Sequence, residues 1–141
     1  DYLGFNAMER DYYLYDVFYH TPDMKHHALS SHSDQLYAQV CERLRDYPRV
    51  KVVQGLVPDS FVKGMPEKIA FMHIDMNNAD AEVAVLDQLY ERLVPGGMIV
   101  FDDYGWLWYG AQQHAEDAWL SQRHYERILE LPTGQGLLVK I

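Results

Sequence analysis

Ile69-Ala70-Phe71-Met72-His73-Ile74-Asp75, followed after one helix by Met98-Ile99-Val100-Phe101-Asp102-Asp103, is the stretch whose reading decides the fold. Each run is short and almost continuously apolar until it ends in acids. That pattern suits parallel strands covered on both faces rather than a strand with one wet side. Between them, Ala79, Val83, Leu86, Tyr90 and Leu93 recur at steps of four and three, which predicts a helix over Ala79 to Val94. Pro95-Gly96-Gly97 is read as its terminator.

Working outward, the same alternation continues in both directions. Upstream, Tyr12 to Phe18 (YYLYDVF) reads as a strand, and Tyr19 to His32 as a polar loop. Ser33 is the expected N-cap of a helix with the stripe Leu36, Tyr37, Val40, Cys41 and Leu44, and Val50 to Val53 is a strand closed by Gly55. Downstream, a helix is expected from about Tyr109 to Gln122. Strands Arg127 to Leu131 and Gly136 to Ile141 then form an antiparallel hairpin through Pro132-Thr133-Gly134-Gln135. The expectation is therefore an α/β fold: an open, mostly parallel twisted sheet with helices on both faces and a C-terminal hairpin. In such sheets ligands lie beyond the carboxyl ends of the strands. Asp16, Asp75, Asp102 and Asp103 all fall there.

Composition narrows the function. A chain of 141 residues, 48% hydrophobic and 13% aromatic, can close one core, so residues 1–141 are expected to form a single domain. Its net charge of −9 argues against a nucleic-acid backbone as partner. Neither a membrane-length apolar run nor a signal sequence is visible, so a soluble cytoplasmic protein is expected. The single cysteine, Cys41, is expected to be a buried small hydrophobe. An exposed sheet edge or aromatic loop is a candidate surface for self-association into a homo-oligomer.

Three carboxylates brought together by neighbouring strands would repel one another and raise each other's pKa, which a hard cation such as Mg²⁺ would relieve; alternatively they cap helices or face water. His73 reads either as a packed histidine or as a general base. His20, His26, His27 and His32 share one loop, but their spacing matches no closed zinc pattern, and a mobile loop over the crevice is preferred. Tyr104 to Tyr109 (YGWLWY) is open between core and a stacking surface for a ring substrate. The signatures GxSxG, GxxxxGK[ST], CxxC and GxGxxG are absent.

Ile74-Asp75, then Leu93-Val94-Pro95-Gly96-Gly97, then Asp102-Asp103-Tyr104-Gly105 resembles the fourth and fifth strands of Rossmann-like class I S-adenosylmethionine methyltransferases. The double aspartate with Tyr-Gly is similar to the macrocin and mycinamicin type of metal-dependent sugar O-methyltransferases. This resemblance covers roughly Tyr12 to Ile141. It implies metal ligation by Asp75, Asp102 and Asp103, with Asp75 at the catalytic centre, and S-adenosylmethionine beside Asp16, Gly55 and Ser60; the role of base falls to His73 or another group, or metal polarisation suffices, or catalysis is lost.

Two departures accompany it. Asn77 stands where that family has the acid that deprotonates the acceptor, and an amide is no base. No glycine-rich strand-loop precedes Tyr12, so the first, central strand is expected to be missing; Asp1 to Met8 reads as the tail of a helix, the chain as a truncated piece, and residues 1–141 alone as inactive. The competing function is a degenerate Rossmann-like binding module without catalysis.

Overall fold

The computed structural model describes residues 4–22, 24, 30–123 and 127–141. The chain divides into two compact units, Asp1–Met65 and Pro66–Ile141. In the first, β1 (Tyr12–Asp16) pairs in parallel with β2 (Val50–Gln54), in register from Tyr12 opposite Val50 to Asp16 opposite Gln54. Helix α1 (Leu36–Leu44) connects them. Its apolar stripe is half-buried throughout, so Cys41 is half-buried and not enclosed as expected. Tyr15 fixes the far side, edge-on to Phe61 with centroids 5.0 Å apart and its hydroxyl donating to the Gly64 carbonyl at 2.8 Å.

The second unit is a four-stranded sheet in the order β3-β4-β6-β5. Strand β3 (Ile69–Ile74) runs parallel to β4 (Leu93–Phe101); β4 and β6 (Gly136–Val139) are antiparallel, as are β6 and β5 (Leu129–Glu130). Helices α2 (Ala79–Leu89) and α3 (Gly110–Leu120) pack on one another. Leu86, Leu93, Ile99 and Leu138 are the innermost side chains. Trp119 packs edge-on against Tyr90 at 5.0 Å and donates its indole N–H to Asp87 at 2.7 Å, with the Arg123 guanidinium lying over its ring. Among the described residues no helix is long and apolar enough to cross a membrane.

The α/β architecture and terminal hairpin match the sequence expectation, and several boundaries move. Helix α2 stops at Leu89, passes through one 3-10 turn at Tyr90–Arg92, and Leu93 already belongs to β4. Pro95-Gly96-Gly97 therefore does not end a helix. Ile69 pairs with Leu93 and Phe71 with Met98, so four residues, Val94 to Gly97, bulge opposite Ala70 alone. Gly96, at φ +77°, donates to the Lys140 carbonyl at 2.7 Å, and the Lys140 N–H returns to Gly97 at 2.9 Å. Ser33 is not the N-cap of α1. Its carbonyl closes a turn onto the Leu36 N–H at 3.1 Å, Gln35 occupies the cap, and no side chain caps that end. The described part of Asp1 to Met8 is a single 3-10 turn at Phe5–Ala7 rather than a helix tail; residues 1–3 lie outside the described residues.

Candidate active site

Strand β3 ends at Ile74, which places Asp75 one step beyond it; β4 ends at Phe101, which places Asp102 and Asp103 just beyond it. Because Ile74 pairs with Phe101, these acids stand at the same end of adjacent parallel strands. The Asp102 N–H continues the ladder onto the Ile74 carbonyl at 2.9 Å. The carboxyl of Asp103 is pushed up from its ordinary value, first by burial, then by the charges of Asp75 and Asp102. Three carboxylates are the donor type that a hard divalent cation takes, although among the described residues no three His, Cys, Asp or Glu side chains stand together as a group that could hold a metal ion.

His73 lies on the exposed face of β3, and its Nε2 is 3.2 Å from Asp102 Oδ1. An ionised carboxylate only accepts, so Nε2 carries the proton and Nδ1 is the basic nitrogen. The same Oδ1 accepts the Gln135 amide at 2.7 Å. Asn77 sits in the turn after β3 at φ +51°, its Oδ1 buried and without a hydrogen-bond partner among the described residues. Asn78, next to it, caps α2 by accepting the Ala81 N–H at 3.2 Å.

Behind this turn lie two acids that sequence reasoning missed. Glu82 on α2 and Glu116 on α3 are 3% and 2% exposed and hydrogen-bond each other. Two ionised carboxylates cannot bond, so a proton lies between them. Burial and the Glu82 charge push Glu116 up to about 9. Glu82 is also raised by burial, against the Glu116 hydrogen bond and the backbone N–H groups of Met76 and Asn78, which favour its ionised form. Glu82 thereby holds the backbone on both sides of Asn77. A signal was available: each glutamate is followed at the third and fourth positions by buried apolar residues, Val85 and Leu86 or Trp119 and Leu120. An acid in the inward row of a helix is unusual enough to single out.

In the first unit, Asp16 ends β1, its Oδ1 taking the Phe18 N–H at 2.5 Å and its carbonyl the Gly55 N–H at 2.9 Å. Gly55 has φ +144°, and a Cβ there would meet the Ser60 Cβ at 3.0 Å, so the turn admits only glycine comfortably. Ser60 is 3% exposed, with a hydroxyl that has no partner among the described residues. A partnerless buried hydroxyl beside a glycine turn and a strand-end acid fits a polar cofactor. His20 and His32 stack at 6.2 Å between centroids, whereas His26 and His27 lie outside the described residues.

The aromatic loop divides between its two readings. Tyr104 is core, its hydroxyl donating to Asp117 at 2.7 Å, whereas Trp106, Leu107 and Trp108 are 53%, 97% and 90% exposed.

A family model described as macrocin-O-methyltransferase (TylF) matches residues 4–131. Among solved structures, the O-methyltransferase NovP is 16% identical with a TM-score of 0.76, covering 96% of this chain and 62% of its own. CalS11, described as a TDP-rhamnose 3'-O-methyltransferase of calicheamicin biosynthesis, is 19% identical with a TM-score of 0.70, covering 92% of this chain and 58% of its own. The S-adenosylhomocysteine-bound methyltransferase PaMTH1 of Podospora anserina is 20% identical with a TM-score of 0.58, covering 77% and 58%. At these identities the likeness concerns the fold. The chain spans about three fifths of the length of these structures. No curated protein matches it.

Proposed function

Because the chain belongs to the macrocin-O-methyltransferase (TylF) family, we propose that the protein transfers a methyl group from S-adenosylmethionine to a hydroxyl of a small molecule, a sugar or glycosylated metabolite, in the cytoplasm. The family match over residues 4–131 carries this reading. Asp16, Gly55 and Ser60 are the residues assigned to S-adenosylmethionine, whose sulfonium supplies an electrophilic methyl. In this reading Asp16 binds ribose hydroxyls, and the Ser60 hydroxyl gains the partner it lacks.

Asp75, Asp102 and Asp103 are the donors assigned to Mg²⁺, which lowers the pKa of a coordinated hydroxyl. The crowding that raises Asp103 supports the assignment. Asp75 and Asp102 orient the acceptor hydroxyl, and His73 receives its proton at Nδ1 because Nε2 already faces Asp102. Asn77 takes no proton. Calorimetry on the full-length protein tests the reading: S-adenosylhomocysteine is expected to bind, and transfer is expected to stop with a chelator. Failure to bind at millimolar ligand removes the cofactor, and indifference to chelator removes the metal.

A second reading, a binding module without catalysis, is favoured by Asn77 alone. Restoring the acid with Asn77→Asp separates the two, since a module stays inactive.

A further inference from the structure

The carboxylate of Asp102 is held by a residue outside the acid cluster, in the turn of the C-terminal hairpin. Phe101 pairs with Gly136 across the antiparallel β4–β6 ladder, so the next residues along, Asp102 and Gln135, stand opposite each other as the ladder opens. Three features fix the hairpin turn there. The Gly105 N–H donates to the Gly134 carbonyl at 2.8 Å, Leu131 N–H closes the turn onto the Gln135 carbonyl at 2.7 Å, and Trp106 lies against the bare α-carbon of Gly134. From this frame the Gln135 side chain reaches Asp102 Oδ1 at 2.7 Å. Since the carboxylate only accepts, the amide nitrogen must face it. The amide oxygen accepts the Thr133 hydroxyl at 3.2 Å, which sets the same orientation from the other end.

We propose that Gln135 is a positioning residue for a divalent cation at this site, holding Asp102 by Oδ1 so that Oδ2 alone is presented as ligand. This rests on the metal reading above. With Nε2 of His73 on the same oxygen at 3.2 Å, Oδ1 has two donors and Asp102 binds through one oxygen. Outer hydrogen bonds of this kind orient a ligand before the ion arrives, and their loss typically costs about 10- to 100-fold in affinity.

The test is Mn²⁺ binding to the full-length protein by calorimetry, with urea midpoints measured alongside. Gln135→Leu keeps the side-chain bulk and removes the donor; it is expected to weaken Mn²⁺ at least about tenfold with the midpoint unchanged. Thr133→Val, which releases only the far end of the amide, is expected to weaken it less. If wild type binds Mn²⁺ and Gln135→Leu binds it equally well, the role of Gln135 is overturned and the metal reading stands. Should Gln135→Leu fail to fold, Thr133→Val decides, equal binding again overturning the role. If wild type binds no Mn²⁺ at millimolar concentration, both fall together.

Discussion

Replacing Glu116 by Gln should stabilise the protein near neutral pH, and the gain should grow with pH. Glu116 is 2% exposed and its folded pKa stands near 9, against 4.5 for the free side chain. Between those values the folded state holds a proton that the unfolded chain has released, so stability falls by about 1.4 kcal/mol per pH unit as pH rises, and levels off above the folded pKa. At pH 7 the cost is at most about 3 kcal/mol and still rising, and near pH 4.5 it vanishes. Glutamine mimics the protonated acid: its amide can donate to Glu82, and it removes the repulsion with Glu82, Asp117 and Asp103 that faces this position. Urea unfolding followed by tryptophan fluorescence at half-unit steps from pH 4.5 to 8.5 measures this, with buried Trp119 one turn along the helix as reporter. Curves that coincide at pH 4.5 and separate to about 2 kcal/mol in favour of Glu116→Gln at pH 7 are expected. Parallel curves, or a variant less stable at pH 7, would refute the shared proton.

Three further outcomes are expected. In the proposed reading, Asn77→Asp should raise kcat by about tenfold or more, read by product formation at saturating cofactor, because it would restore the carboxylate base that the resemblance puts at this position. Leu86→Ala, at a fully enclosed position of α2, should cost about 2 to 5 kcal/mol by urea denaturation. Gly134→Ala should cost about 1 to 3 kcal/mol and redshift tryptophan emission, since φ is +85° and the new Cβ would stand 2.8 Å from Trp106 Cδ1.

The apolar runs alternating with helical stripes made the α/β order readable, and the strand-end acids Asp16, Asp75, Asp102 and Asp103 came with it; the expected cover on both faces is not found among the described residues, since β3 and β4 bury one face and leave Phe71, His73 and Met98 exposed. The Pro95-Gly96-Gly97 segment was misread because glycine and proline signal a break without saying whether it ends a helix or bends a strand; the pairing of Leu93 with Ile69 decided the latter. Glu82 escapes because the α2 stripe runs through Ala79 and Val83 before it reaches buried Leu86, whereas the inward row begins at Glu82 and Val85; Glu116 escapes because no apolar stripe singles out the inward row of α3. Gln135 could not be found by spacing at all. Its contact with Asp102 exists only through the antiparallel register of β4 and β6.

The Val94 to Gly97 bulge has a consequence for how the chain tolerates change in length. On its far side Met98 to Phe101 are locked between β3 and β6, whereas on its near side only Leu93 is paired. In a regular strand, gaining or losing one residue turns every later side chain to the opposite face. Here Gly96 and Gly97 are already tied to Lys140, so an indel at Val94-Pro95 is absorbed before the ladder resumes, Asp102 and Asp103 keep their face, and those two residues act as a slack coupling between helix α2 and the acid-bearing end of β4.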